Sequence, residues 1–208
     1  MNATEQHPQR PVPCQDCPTR TIPNRHPLPE PPARRALPMD ALNAKHMVRP
    51  TSGMIVKREE LLTVGRYYYR FAHSMVDGRR QQREQIVSGA WWMSVDTFAT
   101  IQQRSKRSGT HLSTMARQSL AIARRWRGKV DIVVRAMLRE PLLAYVGLGT
   151  IQTFDTRRDD DHRSWVPAHD AIQIYIPGLR AKNPRTGNAI YEDAFGPIEQ
   201  DRIGWDPF

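Results

Sequence analysis

From residue 66 onward the apolar positions fall into two distinct periods. In "GRYYYRFAHS", Tyr67, Tyr69 and Phe71 alternate with Arg66, Tyr68 and Arg70, the two-residue period of a strand with unlike faces. "SVDTFATIQQRSKRSG" then switches to helical spacing: Ser94 is placed to cap, Phe98 and Ile101 sit three apart, and Gly109 ends the run. A second helix is expected in "LSTMARQSLAIARRWRG", capped by Ser113 or Thr114. Leu112, Met115, Ala116, Leu120, Ala123 and Trp126 form its apolar stripe, and Gly128 is its stop. Alternation returns in "DIVVRAML", where Ile132, Val134, Ala136 and Leu138 share one face. It returns again in "AIQIYIPG", where Ile172, Ile174 and Ile176 oppose Gln173 and Tyr175 and Pro177–Gly178 closes the strand. The order is strand, strand or loop, two helices, then strands. This predicts an α+β domain with mixed or antiparallel sheets and two central helices, not a βαβ series.

Residues 1–50 break both periods. They hold 11 of the 17 prolines, and proline fixes φ and lacks an N–H, so helix interiors and central strands are closed to this segment. It reads as an extended, disordered leader or linker, which leaves residues 51–208 as the folded domain. No internal repeat is visible. No run of about 18 apolar residues exists, so no membrane span is expected. The beginning "MNATEQHPQRP" has no apolar segment of the kind a secretory signal needs. The two cysteines, Cys14 and Cys17, both lie in the leader, so the domain does without disulfides, as suits a reducing cytosol.

Charge changes the picture more than composition does. The formal net charge is +10, and residues 66–139 carry 15 Lys and Arg against 4 Asp and Glu, whereas residues 140–208 carry 7 against 11. A central positive field attracts nucleic acid, phosphorylated cofactors, anionic surfaces or an acidic partner. Arg117 and Arg124 are seven apart on the second expected helix, near Arg125 and Arg127, and a phosphate backbone could lie along that face. Tyrosines 67–69 would then serve for base stacking.

Motif chemistry is mostly exclusion. There is no P-loop, no G-x-G-x-x-G, no G-x-S-x-G and no H-E-x-x-H. The C-x-x-C of Cys14 and Cys17, with His7 and His26 nearby, matches no zinc module and reads as a thiol pair in an unstructured segment. The run "DDDHR" at 159–163 is flanked by arginines and reads as a solvated loop, so no metal site is assigned.

Three separated pieces remain: "YYYRF", "GAWWMS" and "DAIQIYIPG". Together, over roughly residues 60–180, they resemble the ADP-ribosyltransferase domains of bacterial toxins and effectors. The resemblance implies NAD as the cofactor. It implies that Arg70 holds a phosphate, and that Ser94, with Trp91 and Trp92 before it, supports the nicotinamide side of a cleft. It implies that Gln173 stands at the position of the expected acid, with Tyr68 and Tyr175 completing the aromatic lining. It also implies transfer of ADP-ribose to a macromolecular acceptor, a cytoplasmic or delivered setting, and a neutralising partner protein.

The chemistry behind those types is plain. An arginine fork grips a diphosphate through paired charge-assisted bonds. A carboxylate stabilises the positive charge that develops on the ribose, and a glutamine cannot. Asp170, Glu192 and Asp193 are the alternative acids. Ser94 is equally explained as a helix cap, while Trp91 and Trp92 on a strand would face opposite ways. A basic, non-enzymatic nucleic-acid-binding protein is the alternative class, and an assembly protein of a larger machine a third.

Overall fold

The alternation at residues 67–76 serves two cores at once. The computed structural model describes residues 41–122, 128–151 and 166–203, all within one compact unit, Leu37–Phe208. Residues 1–40 of the expected leader, with His7, Cys14, Cys17 and His26, the stretch Arg124–Arg127 and the 159–163 carboxylate run lie outside the described residues.

The order is β1 (Met54–Leu61), β2 (Tyr67–Val76), β3 (Arg79–Arg80), α1 (Arg83–Val87), β4 (Trp91–Ser94), α2 (Val95–Ser108), α3 (Leu112–Leu120), β5 (Gly128–Leu138), β6 (Leu143–Gly149), β7 (Ile172–Tyr175), α4 (Ile190–Ala194) and β8 (Phe195–Arg202). Every strand pairing is antiparallel, in the order β1-β6-β7-β4-β2-β5-β8 with β3 returning on β2. The fold is therefore α+β with an antiparallel sheet. None of the described helices is long and apolar enough to cross a membrane.

Local signals account for the sharpest boundaries. Ser94 Oγ accepts the backbone N–H of Thr97 at 3.2 Å and caps α2, which ends at Gly109 in the left-handed region. The hairpin between β2 and β3 turns on Asp77 and Gly78, both at positive φ, the conformation that a two-residue antiparallel turn favours. The helix expected to run to Trp126 stops at Leu120 instead, because Ala121 adopts φ 49° and ψ 48°.

β4 is the joint of the sheet. Trp91 and Trp92 pair with Tyr175 and Ile174 of β7, while Met93 and Ser94 pair with Tyr69 and Tyr68 of β2. The strand thus hands over from one half-sheet (β1, β6, β7) to the other (β2, β5, β8). Four strand spacings separate β5 from β6, about 19 Å in a flat sheet. Residues 139–142 join them, and an extended connection of that length reaches about 17 Å. The sheet must curl, and its two halves share one core. Tyr68, Trp92, Val134, Ala136, Leu138, Ala144, Val146 and Ile174 belong to it. The opposite face of β2 and β5 carries a second core, with Phe71, Met93 and Val133 under Ile101 of α2 and Ala116 and Leu120 of α3.

Asn43 ties the start of β6 to the segment after β7. It is fully buried. Its Nδ2 donates to the carbonyls of Leu143 (2.8 Å) and Pro177 (3.0 Å), and its Oδ1 accepts the Leu143 N–H at 2.8 Å. Residues from Ala41 onward are thus part of the packed body. Replacing Asn43 by Ala strands one buried donor and two carbonyls that surrounding apolar side chains cannot satisfy. We expect a loss of about 2–4 kcal/mol in urea unfolding.

Candidate anion-binding site

Arg70 sits on the face of β2 that turns into the larger core. Its strand neighbours on that face, Tyr68 and Ala72, are both core residues. The Tyr68 hydroxyl accepts the Thr63 N–H at 3.0 Å, and burial raises its pKa. Between them the Arg70 guanidinium lies 5.9 Å from the centroid of the Trp92 ring. It also lies directly over Gly89, where an added Cβ would fall 1.6 Å from Nη1. A side chain at residue 89 would thus have to displace the guanidinium, while the backbone there is ordinary. The Trp92 indole N–H holds that turn by donating to the Gly89 carbonyl at 2.7 Å, and its ring stacks on Phe195 with centroids 4.7 Å apart.

The guanidinium is poorly compensated. Nε and Nη1 of Arg70 are buried and have no hydrogen-bond partner. Burial, and then the neighbouring Arg180, pull its pKa down to about 10, so the group remains charged at neutral pH. Arg180 follows β7 and is anchored by an Nε donation of 2.9 Å to Ser88 Oγ. Among the described residues neither guanidinium has a carboxylate partner. Two cations without a carboxylate partner among the described residues thus act on one another, the enclosed one beside an aromatic ring. A buried charge without a counter-ion is costly, and a phosphate oxygen supplies both the charge and the missing acceptors.

The other expected site residues divide between the two sides of the sheet. Trp92, Tyr68 and Ser94 share the face of Arg70, and Ser94 Oγ is spent on the α2 cap. Trp91 and Tyr175 lie on the face toward the helices, with ring centroids 4.9 Å apart. Gln173 is on that face too. It is buried, and its Nε2 donates to the Leu120 carbonyl at 2.6 Å, securing the frayed end of α3. The structure therefore does not bring Gln173 into one cleft with Arg70, because one strand position separates the faces of a pleated sheet.

The alternative acids are also committed elsewhere. Asp170 forms two bonds with Arg104 Nη2, at 2.6 and 2.7 Å, and this pair lowers its pKa. Glu192 accepts the Ala189 N–H at 3.1 Å and caps α4. Asp193 accepts from Thr186, from Asn188 at 3.0 Å and from Asn183 at 2.6 Å. His111 caps α3, its Nδ1 accepting the Ser113 N–H at 3.3 Å.

Arg180, Ser88 and Gly89 were not legible as site residues. Arg180 is 110 positions from Arg70, and "VSGAWW" signals only a small residue before bulky ones. Comparison with family models, curated proteins and solved structures finds no match to this chain.

Two outcomes follow. Arg70→Met removes an uncompensated buried charge at similar volume, so the unliganded protein should gain about 1–4 kcal/mol in thermal or urea unfolding. A clear loss would show that the guanidinium is satisfied in solution. Asp193→Asn should cost about 1 kcal/mol or more at neutral pH. The hydrogen bonds from Thr186 and Asn188 hold the Asp193 carboxyl below its ordinary value of 3.8. Its contribution is therefore present above pH 3.8 and fades as pH falls through the lower folded value. Unfolding curves of both chains should converge in that window.

Proposed function

We propose that the domain binds a phosphate-bearing nucleotide cofactor, NAD in first place, with its phosphates on Arg70 and Arg180. The observation that supports this is the pair of enclosed Arg70 N–H groups that lack acceptors. Trp92, buried in the core and stacked on Phe195, walls the guanidinium on its inner side. The resemblance to ADP-ribosyltransferases of toxins and effectors adds the cofactor's identity and a possible reaction, ADP-ribose transfer to a macromolecular acceptor. In this reading a neutralising partner protein would accompany the chain.

Gln173 and Ser94 are not assigned catalytic work. Any carboxylate for ribose chemistry would have to come from a group other than Asp170, Glu192 and Asp193, which are engaged as caps and pairs.

Titration calorimetry with NAD and ADP-ribose, beside a nicotinamide-release assay, tests both binding and transfer. Binding should weaken at least tenfold in Arg70→Met, the effect of losing charge-assisted bonds to phosphate. Heat without nicotinamide release marks a binding module. If neither ligand binds the folded protein, the proposal fails, and steep salt dependence of DNA or RNA binding would favour the nucleic-acid class.

A further inference from the structure

A basic concavity lies at the N-terminal end of α1, away from Arg70. It is a groove of about 550 Å³ at the end of the β2–β5–β8 half-sheet, between the β2–β3 hairpin, α1 and β8. Its apolar lining is Ile86 and Ile132, both core residues. Arg80, Arg83 and Arg202 also line it, one from each of three elements. Arg83 is steered toward β8, its Nη2 lying 3.4 Å from the Ile198 carbonyl. Arg80 and Arg202 have no partner among the described residues.

The acids nearby do not cancel this charge. Asp131 is consumed by Ser74, whose N–H it accepts at 2.7 Å and whose hydroxyl it also accepts. Asp201 is the single carboxylate lining the groove. Three arginines against one acid leave an excess that matches a phosphomonoester dianion. The size suits one compact ligand, since small-molecule sites run to about 300–1,000 Å³. Gln82 and Gln200, which also line it, add amide donors and acceptors. Asp201 can accept from a sugar hydroxyl or an exocyclic amine.

From this arrangement we propose that the groove is a nucleoside-phosphate site, separate from Arg70. The phosphate lies among Arg80, Arg83 and Arg202, the flat base covers Ile86 and Ile132, and Gln200 and Asp201 take its polar edge. A free nucleotide and one unit of a single strand present the same chemistry.

The test uses the full 208-residue chain and four probes: AMP, adenosine, inorganic phosphate and a labelled ten-nucleotide oligo-dT. Calorimetry should show AMP binding more tightly than adenosine or phosphate alone, since both halves of the site contribute. Measured in the Arg70→Met background, which removes the other proposed phosphate-binding group, Arg80→Gln with Arg202→Gln, both on exposed positions that leave the core intact, should weaken AMP about tenfold or more. Anisotropy of the oligonucleotide assigns the source: tighter binding than AMP, lost in the double variant, marks a strand site, and weaker binding marks a free nucleotide. The proposal is overturned if, in the Arg70→Met background, AMP does not bind, phosphate alone binds as well, or the Arg80→Gln and Arg202→Gln changes leave AMP binding intact.

Discussion

Four residues hold the two halves of this sheet together. β4 gives its first two residues to β7 and its last two to β2, and the sheet curls across that handover. The adjacent tryptophans belong to this joint. Trp92 turns into the shared core and stacks on Phe195, while Trp91 turns to the other face and meets Tyr175. Ser94, the next residue on Trp92's face, closes the strand and caps α2 at once. Packing, register and helix start therefore depend on one another within a single short stretch. A slip of one residue would exchange the faces of both tryptophans and remove the cap.

The same joint explains why Arg70 is enclosed. β2 is paired with β4 only at Tyr68 and Tyr69. One residue later β4 has already turned to β7, and the Arg70 side chain enters the space beside Trp92 and Gly89. An uncompensated guanidinium in that position opposes folding, and the surrounding aromatic and glycine contacts keep it there. Such a conflict between stability and local arrangement is what a ligand-binding group is expected to create.

Legibility in the sequence followed the range of the interaction. The α2 boundaries were readable because Ser94 and Gly109 act within one turn of themselves. The strands at 67–76 and 128–138 were readable from alternation, although β2 buries both faces and its arginine-bearing side is not the solvent side. The end of α3 was not readable, because Ala121 takes a left-handed conformation that alanine does not advertise. β6 was missed as a continuous apolar run without alternation, buried through most of its length, and α1 and α4 are too short to show a period. Gln173 was placed on the correct strand. What no local pattern could show is that its face belongs to α3 while Arg70 faces the other core. That division arises from pairings far apart in the chain.

Those long-range pairings bear on how the polypeptide must be made. β1 pairs with β6, and β2 with β5, so each half-sheet joins a segment before residue 77 to one after residue 127. A ribosome that has released only residues up to α3 has released β1 without β6, and β2 with β3 and two residues of β4 but without its long partner β5. Neither half can form as a local unit, and the apolar faces of β2 and β4 wait through the synthesis of both central helices. Folding is thus deferred until β5 and β6 emerge, and until then the growing chain depends on whatever shields unpaired strands from one another.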